Sequence, residues 1–194
     1  MNPRSLAVAA IVPLVLATQG CALTTQHLRL DPEIKVAEKQ VGAGKTVGLR
    51  VSDTRADKKL GEIGDPDRKM VDVLVDQDPS AAIYLRVKLA LVKLGYSVEP
   101  YADGMDRTLD IRVSKLALES VKQPVTFDTD LRAEVVAHAT NANATYDRQF
   151  NVRTRMQSAA PPYERESTSL VNTAVSQALE DLLSDENLLA LLAK

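Results

Sequence analysis

The sequence predicts an α+β fold in two layers, with a mostly antiparallel sheet covered on one face by two amphipathic helices. Several segments between residues 47 and 156 alternate apolar and polar side chains, as half-buried strands do. Residues 79–94 and 163–182 instead repeat apolar side chains at helical spacing. Because strands and helices each have one apolar face, burying both faces requires them to pack against each other.

Two short strands are predicted in the first half of the chain. Residues 47–51 and 71–75 both alternate apolar with polar or small side chains. Residues 53–69 lie between them and are strongly charged, with two glycines and a proline. This composition predicts a long connection rich in turns.

The first helix has clear signals at both ends. Asp78 can accept hydrogen bonds from free backbone N–H groups, and Pro79 at the first helical position removes no needed donor. Apolar residues then recur on one face as far as Leu94, and Gly95 supplies the left-handed residue that ends the helix. Residues 96–99 are predicted as a short extended segment that returns to the sheet.

The most regular alternation predicts a long hairpin. Residues 127–139 and 145–156 alternate over most of their length, and the linker 141–144 is short enough for a hairpin turn. In the preceding strand, 109–118, the apolar positions change phase near Ser114, which predicts a β-bulge there. The polar side of the hairpin is either solvated or an interaction face. The residues that we predict for this face are Arg132, Glu134, His138, Gln149, Arg153 and Arg155.

A second long helix follows the hairpin. Pro161 and Pro162 end the last strand, and apolar residues then cluster on one helical side as far as Leu182. The sequence Ser-Asp-Glu at 184–186 favours caps over helix interior and interrupts the pattern. Residues 187–193 are therefore predicted to form one or two separate helical turns.

Residues 1–20 have the features of a signal peptide. Arg4 precedes twelve apolar residues, 6–17, a run shorter than the about 20 that cross a bilayer as a helix. A buried N-terminal helix is the alternative, which Pro13 disfavours. Removing 20 of the 194 residues leaves 174, enough for one domain with a sizeable core.

Cys21, the only cysteine of the chain, follows a glycine at the end of this segment. The arrangement resembles a lipobox, where bacterial lipoproteins are acylated on the cysteine and cleaved before it. A typical lipobox has leucine three residues before the cysteine and a small residue two before it, where this chain has Thr18 and Gln19. Ordinary signal-peptide cleavage, with Cys21 left as a free thiol, is therefore the alternative. Ala22, in place of the aspartate that retains lipoproteins at the inner membrane, favours the outer membrane and leaves the inner membrane as the alternative.

The mature chain is thus predicted in two parts. Residues 21–45 are polar, with few periodic features, and read as a lipidated N-terminus and tether. Residues 46–194 form a single α+β domain that faces the periplasm.

Composition argues against several kinds of site. Basic residues are not in excess, so nucleic acid is not an expected partner, and aromatics are only 4% of the chain, which disfavours a base-stacking or sugar site. We expect no metal, because the thiol of Cys21 is predicted to be acylated and the two histidines, His27 and His138, are far apart in sequence. The Gly-rich residues 42–46 lack the first glycine of a phosphate-binding loop and precede a strand, so we expect no cofactor.

A catalytic site is not predicted either. Asp53 and Arg55 lie at a strand end among other carboxylates, two of which a hydrolase could use as acid and base. The pattern favours a charged, solvated loop in which Asp53 caps a turn and pairs with Arg55. We therefore predict no catalytic residues and no enzymatic activity.

Several local strings together resemble the YajG-type family of bacterial lipoproteins, and the resemblance covers nearly all of the mature chain. It implies a membrane-anchored domain facing the periplasm, with no established catalytic activity, and it implies a role for Cys21 alone. The matching pieces are Cys21, Leu30-Asp31-Pro32, residues 47–55, Ile63-Gly64, residues 94–98 and the hairpin within 128–152.

Two functions fit these features. The first is a non-enzymatic envelope lipoprotein, held at the membrane by lipid on Cys21, that binds or scaffolds another envelope component, a protein or a glycolipid. The second is a lipid-handling accessory subunit of an envelope transport system. The second predicts a continuous apolar cavity between helices and sheet, whereas the first predicts a packed core.

Overall fold

The computed structural model describes residues 23–194, which form one mixed eight-stranded sheet and three helices. The predicted signal peptide and the lipidation site at Cys21 lie outside these residues. Within the described part of the chain, no helix is both long and apolar enough to cross a membrane. The elements in chain order are β1 (Gln26–Leu28), β2 (Thr46–Asp53), β3 (Lys59–Asp65), β4 (Lys69–Val75), α1 (Pro79–Lys93), β5 (Ser97–Pro100), β6 (Thr108–Lys122), β7 (Phe127–Asn141), β8 (Ala144–Ser158), α2 (Glu164–Leu183) and α3 (Glu186–Ala193).

Strand β6 organises the sheet. Its whole length pairs with β7, which pairs in turn with β8, so the three 15-residue strands form an antiparallel meander. On the other side of β6, β2 runs parallel to its first half and β3 parallel to its second half. Strand β5 extends the sheet beyond β2, and β4 and β1 extend it beyond β3.

The α+β class is confirmed, whereas the prediction of a mostly antiparallel sheet is not, because the sheet is mixed. Among the described strands, four of the seven pairings are parallel. Alternation of apolar side chains is the same for either direction of pairing, so it could not decide this. The cover also differs from the prediction of two helices, since α3 joins α1 and α2 against the strands.

One core fills the space between sheet and helices. Helix α1 packs on β2 and β5, while α2 packs on β7, β8 and β1. Leu109, Leu131 and Leu179 are completely buried at its centre. The strands and helices therefore bury their apolar faces against each other, as the two-layer prediction requires.

Most predicted element ends agree with the structure. The side chain of Asp78 accepts a hydrogen bond from the backbone N–H of Ser80 at 2.9 Å, and α1 ends before Gly95, whose φ is +86°. The pairing of β6 with β7 changes register between Val113 and Lys115, which confirms the bulge.

Residues 53–69 differ from the predicted connection because they contain β3. This strand forms a hairpin with β4 and also pairs with β6. Gly64 lies within it at φ +140°, where its backbone closely approaches that of Lys69. A glycine in this position permits close strand contact, whereas the sequence interpretation took it as a turn residue.

The segment predicted as a tether also differs, since it joins the body of the protein from Gln26 onward. Strand β1 pairs with β4 and forms the edge of the sheet, and Leu28 and Leu30 are buried in the core. Farther along, Ile34 is also buried, and the backbone N–H of Lys35 donates to the Glu180 carboxylate of α2 at 2.7 Å. A three-residue strand is too short to produce a readable alternation, so only its tertiary pairing reveals it.

Candidate functional site

The side of the β6–β7–β8 meander that faces away from the helices is here called the open face. Side chains alternate along each strand, so the even-numbered positions of β7 near its middle and the odd-numbered positions of β8 share this face. Arg132 lies opposite Arg153, and His138 lies opposite Asp147. The structure thus brings together all six residues predicted for an interaction face: Arg132, Glu134, His138, Gln149, Arg153 and Arg155.

Two of these residues, Arg153 and Arg155, bind a single carboxylate. Each guanidinium donates two hydrogen bonds to Asp130 on β7, at 2.8–3.2 Å. The Asp130 side chain is only 13% exposed, whereas the two arginines are 53% and 59% exposed. Hydrogen bonds from Arg155 and Arg153 hold the pKa of Asp130 well below its usual range.

A second carboxylate with two arginines lies at the other end of the open face. Asp110 Oδ2 accepts from Arg50 at 2.8 Å and from Arg112 at 2.9 and 3.1 Å. The Asp110 side chain is 2% exposed, and Arg50 also stacks on the ring of Tyr101, 4.3 Å from its centre. Burial raises the pKa of Asp110, but the hydrogen bonds from both arginines outweigh burial and lower it overall.

Sequence reasoning missed this second group. The signal was present, because Asp110 and Arg112 occupy the polar positions of the strand whose apolar positions were recognised. The contribution of Arg50 comes from β2, which pairs with β6 only in the tertiary structure.

The remaining predicted residues make single polar contacts. His138 Nδ1 lies 2.7 Å from Asp147, and the guanidinium of Arg132 lies 3.9 Å from Glu119. Ser114, in the bulge of β6, donates to the carboxylate of Glu134 at 2.5 Å. The bulge therefore adds a hydroxyl group to the open face.

The open face is suited to binding rather than to proton transfer. Its two most buried carboxylates each accept hydrogen bonds from two arginines. These bonds keep the carboxylates ionised and already paired with donors. The arginines are held in position while their guanidinium groups stay about half exposed. Arginine is enriched in protein interfaces, and side chains already fixed lose less entropy on binding. Among residues 23–194, no three His, Cys, Asp or Glu side chains are grouped to hold a metal ion.

Asp53 and Arg55 pair as predicted, but they are buried rather than solvated. Both side chains are 3% exposed, and the guanidinium donates to the two carboxylate oxygens at 2.8 and 2.9 Å. Lys58 adds a third hydrogen bond at 2.6 Å. Burial raises the pKa of Asp53, but hydrogen bonds from Arg55 and Lys58 prevail and lower it to about 2. The pair holds the end of β2 against the following loop.

The fold and its open face define a small two-layer α+β domain with a charged, preorganised surface. The chain belongs to the Lipoprotein_16 family, described as uncharacterized lipoprotein, whose model matches residues 32–193. This match confirms the predicted bacterial lipoprotein family, and with it a location in the cell envelope, whereas the YajG-type assignment stays a prediction.

Solved structures resemble this chain at low sequence identity, and the one with a TM-score above 0.5 shares its fold. Protein XCC0632 from Xanthomonas campestris, of family DUF330, has 14% identity and a TM-score of 0.54, with 89% of this chain and 96% of that one covered. Lipoprotein GNA1162 from Neisseria meningitidis has 11% identity and a TM-score of 0.37, with 73% and 99% covered. None of the curated proteins matches this chain.

Proposed function

We propose that this chain is a lipid-anchored, non-enzymatic lipoprotein that binds another component of the cell envelope through the open face. The observation that carries the proposal is that the arginines of this face are more exposed than the carboxylates to which they are bonded. Arg153 and Arg155 are more than half exposed, while Asp130 is largely covered. An approaching partner therefore meets positive charge first at this group, and the same holds near Asp110.

A suitable partner presents an anionic group to these arginines. A guanidinium group can bind a carboxylate or a phosphate through two hydrogen bonds, so a protein or an anionic glycolipid offers suitable chemistry. Charges on such a face act mainly on specificity and on the rate of association.

The packing of the interior supports a binding module over a lipid-handling subunit. Leu131 on β7 and Leu179 and Leu182 on α2 have no exposed surface. These residues fill the space between sheet and helices that an acyl chain would need.

Membrane attachment through Cys21 is the second part of the proposal. Each buried CH₂ of an acyl chain contributes about 0.8 kcal/mol, so two or three chains give stable anchoring. We place the anchor in the outer membrane, facing the periplasm, because Ala22 stands where an aspartate would favour the inner membrane.

Replacing Cys21 by serine tests the anchor. We expect the wild-type protein in the membrane fraction, with an intact mass equal to residues 21–194 plus the acyl groups. The Cys21→Ser protein should lose the acyl mass and the membrane association together. An unacylated wild-type chain cut at another position would contradict the proposal.

A photo-crosslinking amino acid at Gln149 tests the open face in intact cells. Gln149 is exposed on β8, and Gln177 is an exposed glutamine on the helical side, so it serves as the matched control. We expect a discrete adduct from position 149 and none from position 177. Mass spectrometry of the adduct distinguishes a protein from a glycolipid.

A charge reversal shows whether the adduct depends on the arginines. In the Arg153→Glu, Arg155→Glu variant, we expect the adduct at position 149 to disappear while the protein stays folded by circular dichroism. An adduct that persists in this variant, or equal adducts at positions 149 and 177, would refute binding through this face.

A further inference from the structure

Residues 23–26 are held by hydrogen bonds against one end of the sheet. Lys69 Nζ donates to the backbone carbonyl of Leu23 at 2.7 Å, and Gln26 Nε2 donates to that of Pro162 at 2.8 Å. Three connections meet at this end, which is here called the anchor end. They are the β3–β4 turn, the β6–β7 turn and the β8–α2 connection, residues 65–69, 122–127 and 158–163.

Cys21 precedes Leu23 by only two residues in the sequence. Two residues of extended chain span at most about 7 Å, so a lipid on Cys21 is attached to the chain within that reach of Leu23. The opposite end of the sheet, marked by the β7–β8 turn at Asn143, is much more remote. The 15 residues of β7 separate the two ends by roughly 45 Å.

The anchor end exposes apolar side chains. Val125 at the β6–β7 turn is 83% exposed, Tyr163 before α2 is 55% exposed, and Val121 is 45% exposed. They make up half of the six large apolar side chains that are exposed in residues 23–194. Isolated apolar side chains on a surface are ordinary, but a group of them beside the attachment point of a lipid has a direct use.

The charges at this end also suit a lipid surface. Lys122 Nζ bonds to the carboxylates of Asp65 and Asp67, each at 2.8 Å, which neutralises part of the acidic charge of the β3–β4 turn. Arg68 in the same turn lies 3.9 Å from the Asp65 carboxylate, but its side chain is 86% exposed and can reach anionic headgroups. Tyrosine favours the boundary between headgroups and acyl chains, because its ring is apolar and its hydroxyl is polar.

We infer that the anchor end is a membrane-contact surface, with Val125 and Tyr163 entering the interfacial layer of the bilayer. The inference rests on the proposed lipid anchor at Cys21, and it adds an orientation to that anchor. The long strands then stand steeply on the membrane. The open face is turned sideways, where a partner in the periplasm can reach it.

Site-specific fluorescence on the full lipidated protein tests this orientation. An acylated Cys21 has no free thiol, so Val125→Cys and Asn143→Cys each introduce the single reactive cysteine of the chain. Both positions are exposed turns at the tips of hairpins, one at each end of β7, so the second is a matched control. The two proteins are labelled with the environment-sensitive dye NBD and placed in vesicles of phosphatidylethanolamine and phosphatidylglycerol.

The expected results differ for the two positions. NBD at position 125 should shift to the blue, be quenched by lipids carrying a shallow doxyl group, and be severalfold less quenched by aqueous iodide than NBD at position 143. Equal iodide quenching at both positions overturns the inference. Protection from iodide without doxyl quenching also overturns it, because another protein copy then covers the turn.

The number of labels separates this inference from the anchor on which it rests. A chain that takes two dyes has an unmodified Cys21, which refutes the proposed anchor and the inference with it. A chain with one dye and no contact between position 125 and lipid refutes the inference alone.

Discussion

Replacing Arg55 by alanine is expected to destabilise the protein by about 3 to 5 kcal/mol, the usual effect of breaking a buried ion pair. The substitution removes the guanidinium that binds both oxygens of Asp53, a carboxylate 3% exposed in the wild type, and leaves it with only Lys58 as a charged partner. Urea unfolding monitored by circular dichroism measures the change. The control is Arg68→Ala, where the arginine is 86% exposed and the loss should stay below about 1 kcal/mol.

The same ion pair predicts a dependence of stability on pH. The pKa of Asp53 is lowered from 3.8 to about 2, so its contribution is complete above pH 4 and is lost as the pH falls through about 2. A lowering of this size corresponds to about 2.5 kcal/mol. The Asp53→Asn variant should therefore lose less stability than the wild type between pH 5 and pH 2. Parallel losses in the two proteins, or a small effect of Arg55→Ala, would contradict a stabilising buried pair.

Replacing Gly64 by alanine is expected to destabilise the domain by about 2 to 5 kcal/mol, through backbone strain and overpacking together. Gly64 has a φ of +140°, and a Cβ there would lie 2.1 Å from the carbonyl oxygen of Lys69. The backbone of Lys69 cannot move away from this Cβ, because Gly64 and Lys69 lie on paired strands of the β3–β4 hairpin. Urea unfolding again measures the effect.

Gly104 separates strain from overpacking. It also has a positive φ, +84°, but a Cβ there would meet nothing within 4 Å. We expect Gly104→Ala to cost about 1 to 2 kcal/mol, from the backbone conformation alone. Equal effects at positions 64 and 104 would show that the close contact between β3 and β4 is unimportant for stability.

The sequence by itself determined the elements with strong local signals. Helix α1 follows from its cap at Asp78 and its end at Gly95, and the β7–β8 hairpin follows from two long alternations joined by a short linker. The bulge near Ser114 was also predictable, because a change of phase in the apolar positions marks an extra residue. Alternation likewise placed the six predicted interface residues on one face, since side chains two apart in a strand must point the same way.

Only the tertiary structure decided which strands pair and which charges meet. Strand β1 and strand β3 are stabilised by neighbours distant in sequence, so their local patterns are weak. The burial of Asp53 and Arg55, and the meeting of Arg50 with Asp110, likewise depend on long-range packing. A charged side chain looks the same in sequence whether it is solvated or buried with a partner. Its environment is set by contacts that the order of residues does not display.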